Sequence, residues 1–349
     1  MRPQTTPGIE SALFVVNRPS GNGRTTEDLE RLQSTFHDCF APIANRVFEV
    51  TEGHDEVLDL TRDFLASFRK PCFLLSGGGG GTNRALVQGL LEKVEKGTIR
   101  LGDAQVSSLR LGSGNLIPKY FGLPQEPLEG MRRIADDLFA GRTHPCCVYR
   151  CTFCYPNGEA KPKYGLTMGG LGQFARVPDD IKRWKDKHPR LMQWTSRLVP
   201  LEAINTWQYV AFSMIRAIRC MAQPKRAELV EVGYADRSER FRLLAGMLLN
   251  FDFPQLPIQG GCDIGEPRLM LCLIPHEGRG HIIRALLDWR NLNHRVRKYE
   301  ITPERPIEIL FAENSSTILA LDEDTFTAPA QIRFEVAEPV RFVTGTCFG

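Results

Sequence analysis

The stretch Phe73-Leu74-Leu75-Ser76-Gly77-Gly78-Gly79-Gly80-Gly81-Thr82-Asn83 runs a short apolar strand straight into five consecutive glycines and then opens a helix. That helix carries Leu86, Val87, Leu90, Leu91 and Val94. A strand that ends in glycine and enters a helix presents unpaired backbone N–H groups and the positive end of the helix dipole. Glycines let that backbone approach phosphate oxygens closely. Two more loops are built alike. Upstream, Ala12–Val16 is a continuous apolar run suited to a buried parallel strand, and it ends at Asn17-Arg18-Pro19-Ser20-Gly21-Asn22-Gly23-Arg24. Downstream, Val106–Leu111 ends in Gly112-Ser113-Gly114-Asn115. A helix is expected from near Leu116, where Pro118 is tolerated in the first turn.

Between these strands lie a helix with Leu29, Leu32 and Phe36 at helical spacing, a strand over Arg46–Thr51, and a helix over Glu56–Phe68. Alternation of this kind predicts a parallel α/β sheet whose strand ends face one crevice, so the glycine loops can converge on one ligand.

The pattern changes after Gly141. Cys146–Tyr155 and Lys163–Leu171 are extended runs joined through Asn157-Gly158, a hairpin signal. Pro178–Ala222 is mostly helical, with Ile204, Trp207, Val210, Ala211, Met214 and Ile218 as its apolar face. Glu228–Tyr234 with Phe241–Leu249 forms a second hairpin. Arg268–Ile274, Arg297–Ile301, Ile307–Phe311, Ser316–Leu321 and Ile332–Val343 are further strands. The predicted fold class is therefore α/β plus β-rich: a parallel α/β nucleotide-binding domain over 1–141, and an antiparallel β-sandwich-like domain over 142–330 with a helical insertion at 178–222.

Bulk properties agree with two cores. The chain has 349 residues, against a prior of roughly 150 per domain. A net charge of +3 is too small to argue for a nucleic-acid partner. No apolar run approaches the roughly 20 residues of a membrane span, and Met1–Glu10 has no signal-peptide character. A cytoplasmic location follows as the expectation. The sequence does not indicate an oligomeric state. The ten cysteines read as small buried side chains in a reducing compartment. His144, Cys146, Cys147, Cys151 and Cys154 crowd together, and Cys151-x-x-Cys154 has zinc-ligand spacing. In a strand, however, Cys147, Cys151, Phe153 and Tyr155 share one face and Cys154 points the other way, so these are read as core cysteines.

Familiar phosphate motifs do not fit. A P-loop needs a lysine that this run lacks. A dinucleotide fingerprint counted from Gly77 has Thr82 where its third glycine belongs. The combination of loops instead resembles the diacylglycerol-kinase-like family of lipid kinases, whose relatives include sphingosine kinases and NAD kinases. The family's Gly-Gly-Asp-Gly-Thr, with a later Asn-Gly-Leu, is similar to Gly78-Gly79-Gly80-Gly81-Thr82 with Gln88-Gly89-Leu90. Its Gly-Thr-Gly-Asn and Gly-Leu-Pro resemble Gly112-Ser113-Gly114-Asn115 and Gly122-Leu123-Pro124. Its Asn-Pro-x-Ser-Gly matches Asn17, Ser20 and Gly21, and its Thr-x-x-Gly-His resembles Thr51-Glu52-Gly53-His54. These motifs span most of residues 12–140 in order. The second half is looser: a turn at Gly169–Phe174, and Asp322-Glu323-Asp324 where the family has Asp-Gly-Glu.

What the resemblance implies is ATP-dependent transfer of the γ-phosphoryl group to a lipid hydroxyl of the diacylglycerol kind, with Mg²⁺. Asn17, Ser20, Gly21, Thr51, Gly78, Gly79, Gly80, Gly81, Thr82, Gly112, Ser113, Gly114 and Asn115 would hold the nucleotide, with Arg24 and Lys119 as nearby cations. It also implies that 331–349 returns to complete the first domain, and that the nucleotide and acceptor meet between the two domains. The departures fall on chemistry. Gly80 stands where the family has aspartate, Arg84 and Ala85 where it has Asn and Glu, Glu323 for its Gly and Asp324 for its Glu. Two readings follow. In one, Asp322, Glu323 and Asp324 have taken over the acidic work. In the other, the chain is a catalytically impaired pseudokinase that regulates by binding nucleotide or lipid. The basic segment Lys182–Arg226, with Trp184, Trp194 and Trp207, suits either peripheral contact with an anionic membrane or a packed helix whose tryptophans are core, and packing is the preferred reading.

Overall fold

The computed structural model describes residues 8–21, 24–68, 70–112, 114–155, 158–188, 201–223, 226–234, 237–253, 256–312, 317–327 and 330–345. The chain divides into two compact units: Met1–Cys146 with Pro339–Gly349, and Cys147–Glu338.

In the first unit, β1 (Ser11–Asn17), β2 (Asn45–Thr51), β3 (Cys72–Gly78) and β4 (Ala104–Arg110) are joined by α1 (Thr26–Cys39), α2 (His54–Ser67) and α3 (Gly80–Glu95). The sheet is parallel in the order β2-β1-β3-β4. Beyond β4 it is extended by the end of β15 (Gln331–Phe342), where Arg341 and Phe342 lie parallel to Gln105 and Val106. All seven residues of β1 and of β3 are buried, which is why these strands read as continuous apolar runs rather than alternating ones. Local chemistry sets the helix starts. Thr25 and Asp28 form a reciprocal capping box on α1, each accepting the other's backbone N–H at 3.1 Å. α2 packs on α3, and α1 packs on α5 (Pro127–Phe139).

Two local features differ from expectation. The glycine run is not all loop. Gly77 and Gly78 finish β3, Gly79 is the N-cap, and α3 begins at Gly80, two residues before the expected Thr82. The short α4 (Leu116–Tyr120) starts where expected. Helix α5 was not expected, although its signal is present: Pro127 at the first helical position and the Glu126 carboxylate accepting the Glu129 N–H at 2.6 Å.

The second unit is antiparallel. Its strands are β5 (His144–Cys154), β6 (Ala160–Gly165), β7 (Met168–Gly172), β8 (Glu228–Tyr234), β9 (Arg237–Leu249), β10 (Leu269–Pro275), β11 (Arg297–Ile301), β12 (Ile307–Phe311), β13 (Ile318–Leu321) and β14 (Asp324–Thr327), with the first part of β15. The principal path runs β14-β13-β7-β9-β8-β12-β15, with β10–β11 branching from β9 and β5–β6 from β15. The long β9 spans two pairings: its first half lies on β8, and its second half lies between β7 and β10. Cys147, Tyr149, Cys151 and Phe153 point from alternate positions of β5 into one core with Leu171, Leu271, Ile309 and Phe334. Cysteine packing there drives the thiols up, Cys147 to about 12, by desolvation. Among the described residues no group of three His, Cys, Asp or Glu side chains could hold a metal ion.

Three helices complete this unit: α6 (Val177–Lys187), α7 (Leu201–Ala222) and α8 (Arg279–Leu287). α7 packs on both α6 and α8. Trp194 and part of the expected helical segment lie outside the described residues. Helix α8 and strand β14 were not anticipated. The expected strand Lys163–Leu171 is broken at Leu166-Thr167 into β6 and β7, because a distant carboxylate takes the backbone N–H groups there. The apolar face assigned to α7 is partly turned out: Trp207 is 73% exposed, Ile218 51% and Ala211 exposed, while Val210 and Met214 are half-buried. Helix α7 is apolar on most of its circumference, so periodicity alone does not select the buried stripe. Among the described residues no helix is long and apolar enough to cross a membrane.

Candidate functional site

In the first unit β1 lies between β2 and β3. The chain reverses direction across β1, and this makes a topological switch point at the ends of β1 and β3, the place where open parallel sheets bind ligands. Asn17 closes β1 and Gly78 closes β3, so two of the three glycine turns leave the sheet at that point.

The turns touch through their backbones. A Cβ built on Gly112 would lie 2.4 Å from the Gly79 Cα, 2.7 Å from its N and 2.8 Å from the Gly78 carbonyl oxygen. One on Gly21 would lie 2.9 Å from the Leu111 carbonyl oxygen, and Gly21 itself has φ +71°. The loop after β4 is therefore wedged between the loops after β1 and β3, and only glycine permits this approach. Side chains hold the arrangement. The Asn115 amide, at a left-handed φ of 50°, accepts the Gly112 N–H and donates to the Gly112 carbonyl, both at 2.8 Å. Asn17 Nδ2 donates to Thr82 Oγ1 at 3.4 Å, and the Thr82 side chain fills the space over Gly78. The Thr51 hydroxyl donates to the Val16 carbonyl at 3.5 Å, while the Arg18 N–H donates to the Thr51 carbonyl at 2.9 Å. Ser20 donates its N–H to Asn17 O at 3.1 Å, closing the first turn. Ser76 Oγ donates to Asn83 Oδ1 beneath the helix start.

Of the expected nucleotide residues, Asn17, Ser20, Gly21, Thr51, Gly78, Gly79, Thr82, Gly112 and Asn115 are thus brought into one connected cluster. Gly80 and Gly81 form the first turn of α3. Gly114 is half-buried in the third turn, and Ser113 lies outside the described residues, as do Asn22 and Gly23. Helix α3 has no side-chain cap and no acidic residue in its first turn, an arrangement in which the dipole and first amides of a helix favour negative charge. Arg24 adds a cation. Its Nη2 donates to the Leu111 carbonyl at 2.9 Å, and its Nε is buried without a hydrogen-bond partner among the described residues. Burial draws this guanidinium down from its ordinary value and Asp28 draws it back, yet arginine stays charged. His54 belongs to the cluster too: a Cβ on Gly81 would lie 2.1 Å from its Cε1. The sequence placed His54 in a motif; only the fold puts its ring against the glycine helix.

The acidic segment lies in the second unit. Strands β13 and β14 pair Leu321 with Asp324, so Asp322-Glu323 is a two-residue hairpin turn with φ of 49° and 92°. Asp322 is buried. It accepts Leu166 N–H at 2.6 Å, Thr167 N–H at 2.8 Å, Thr167 Oγ1–H at 2.5 Å, Met168 N–H at 3.1 Å and Tyr149 O–H at 3.1 Å. Burial pushes its carboxyl above the usual range, and the Thr167 hydroxyl with the Leu166, Thr167 and Met168 N–H groups pulls it back. Glu323 is exposed and Asp324 half-buried. Next to Asp324, the Thr325 hydroxyl donates to Asp179 at 2.9 Å. The negative Glu323 acts on Lys185, whose ammonium is drawn down by burial and partly restored by that charge.

Residues 11–148 match the diacylglycerol kinase catalytic domain family. No curated protein matches the sequence. Among solved structures, a candidate diacylglycerol kinase from Bacillus anthracis str. Sterne superposes with a TM-score of 0.63 at 15% identity, covering 97% of this chain and 98% of that one. A diacylglycerol kinase from the same organism gives 0.60 at 13% identity over 97% and 98%. Yeast NADH kinase complexed with NADH gives 0.52 at 9% identity over 96% and 83%. At these identities the likeness is one of fold: a parallel N-terminal sheet followed by an antiparallel, strand-rich region.

Proposed function

We propose that this chain, diacylglycerol-kinase-like over residues 11–148, is a phosphotransferase that moves the γ-phosphoryl group of ATP to a lipid hydroxyl. The observation that carries the reading is the meeting of three glycine turns at the switch point of the first unit, with Gly112 backed onto Gly79 and Gly21 onto Leu111. Backbone amides, the α3 dipole and the Arg24 guanidinium together form an anion cradle without a P-loop lysine. Phosphoryl transfer asks for positioning and charge stabilisation above all.

In the reaction, the acceptor oxygen bonds to the γ-phosphorus while the bond to the β,γ-bridging oxygen breaks. ADP leaves, and the hydroxyl proton passes to a base. Asp322 is spent on its five donors, so of the acidic turn Glu323 and Asp324 remain for the proton, and we assign it to Asp324, which stands where the family has its Glu. Magnesium, when bound, neutralises phosphate charge. With no three-ligand cluster among the described residues, the nucleotide's phosphates would hold it, assisted by one or two carboxylates at most. The test is transfer of labelled γ-phosphate to dioleoylglycerol in mixed micelles. Wild type is expected to make phosphatidic acid, and Asp324→Asn to lower kcat by about 10²- to 10⁴-fold. The second reading, a regulator that binds without turnover, is favoured by Gly80 standing where the family has aspartate. ATP binding with no transfer to any lipid would establish it.

A lipid acceptor requires access to a membrane. On α7, Trp207, Ala211, Ile215 and Ile218 form one exposed stripe, and on α8 Ile283 and Leu287 (83% exposed) are turned outward with Arg279 and Arg284. Apolar side chains interleaved with arginines suit peripheral contact with an anionic bilayer. Vesicles containing phosphatidylglycerol should sediment the protein, and Trp207→Ala with Leu287→Ala should weaken binding by about tenfold or more. Binding by the double variant equal to wild type would remove this surface from the account.

A further inference from the structure

Helix α6 (Val177–Lys187) packs on β14, next to the acidic turn. On that helix Val177 and Ile181 are buried and Lys185 is half-buried. Their spacing of four sets the lysine at the end of the apolar stripe. A lysine so placed lays its stem among apolar groups, and its ammonium needs an anion to offset the water it gives up. The charge that serves it is Glu323, which works against the burial of that ammonium. The first turn of the same helix supplies a second contact, where Asp179 Oδ1 accepts the Thr325 hydroxyl at 2.9 Å. Glu323 and Thr325 are the two neighbours of Asp324. Helix α6 is itself fastened to α7. Arg216 Nε and Nη2 donate to the two oxygens of Asp180 at 2.6 and 2.7 Å, and both side chains are 12% exposed. A bidentate pair of this kind fixes direction as well as distance.

We propose that α6 positions the base: Asp179 and Lys185 tether Thr325 and Glu323, holding Asp324 between two fixed neighbours and occupying Glu323 with a cation. Naming Asp324 the base rests on the phosphotransferase reading; the tethers do not. Asp179 and Lys185 are positioning residues, since each acts on Asp324 through the residue it holds. The turn needs such holding. Strand β14 ends the principal path of the sheet, and its ladder hydrogen bonds come from β13 on one side. Glu323 has φ of 92°, a conformation that glycine takes freely and a residue with a side chain takes under strain. Strain of this sort persists where the surroundings over-determine it. The charge of Lys185 gives the glutamate side chain a role there that glycine could not fill.

The tethers are tested in the full chain by hydrogen exchange read by mass spectrometry, which needs no activity. Lys185→Met and Asp179→Ala should each speed exchange in peptides covering 318–327 by about tenfold, the worth of one charge-assisted contact. Peptides from β1 and β3 should exchange as in wild type, which shows that the variants fold. Lys185→Arg, which keeps the charge, should recover most of the protection. The positioning role is tested by transfer of labelled γ-phosphate to dioleoylglycerol. Lys185→Met should lower kcat by about tenfold or more, the effect of a misplaced reacting group, and leave the KM for ATP unchanged. Added to Glu323→Gln, it should cost nothing further, because the two side chains act as one tether. Wild-type protection of 318–327 in both single variants would overturn the tethers. Full kcat in both, or losses from Lys185→Met and Glu323→Gln that simply multiply, would overturn the positioning role while leaving the phosphotransferase reading in place. If wild type transfers phosphate to no lipid, that reading falls, and exchange still decides the tethers.

Discussion

Asp322→Ala is expected to destabilise the second unit by about 4 kcal/mol or more, because it strands five donors around a buried site and bonds to a carboxylate are worth roughly 1.5–3 kcal/mol each. The geometry also predicts the size of the milder change. Oδ1 receives four of the donors and Oδ2 receives the Leu166 N–H. An asparagine that puts its carbonyl in the Oδ1 place keeps those four and opposes only Leu166. Asp322→Asn should therefore cost about half as much as alanine. Urea titration followed by circular dichroism measures both, and an alanine variant within about 1 kcal/mol of wild type would refute the anchoring role. The carboxylate ties the β13–β14 turn to the break between β6 and β7, so its loss should also disorder the turn that presents Asp324.

The second large effect is expected at Gly112. In Gly112→Ala the new methyl would sit 2.4 Å from the Gly79 Cα and 2.8 Å from the Gly78 oxygen. Both are backbone atoms, so no rotamer change relieves the overlap. The turns must separate, at a cost of about 1–3 kcal/mol in stability, and the amides no longer converge on one anion. ATP affinity should fall by about a hundredfold, the loss of two or so charge-assisted hydrogen bonds. Gly53→Ala is the control. A Cβ there meets nothing within 4 Å, and the exchange at an N-cap costs about 1 kcal/mol or less. Calorimetric titration with ATP compares the two. Equal affinities in the Gly112 and Gly53 variants would mean that phosphate does not bind where the turns meet.

The N-terminal sheet and its turns were legible because the chemistry is local. An apolar run, a glycine loop and a helix start occupy consecutive residues, and the backbone properties of glycine do not depend on distant partners. The cysteine segment was legible for a related reason: strand alternation alone places Cys147, Cys151 and Phe153 on one face, and that face is core. Helix α5 carried a readable proline start that the expectation passed over. Helix α7 could not be oriented from its pattern, since it offers apolar residues nearly all round and the choice between stripes is made by what lies beneath.

By itself, then, the amino-acid order determined a parallel sheet with glycine turns at its strand ends, followed by an antiparallel region. Tertiary structure alone decided what the acidic triplet is. Asp322 became an anchor because Thr167, 155 residues away, arrives with its N–H and hydroxyl at the carboxylate. Tertiary structure alone also turned Trp207 outward. Short-range sterics and hydrogen bonding are written into neighbouring residues, whereas burial and the pairing of a buried charge depend on which distant segments the fold brings together.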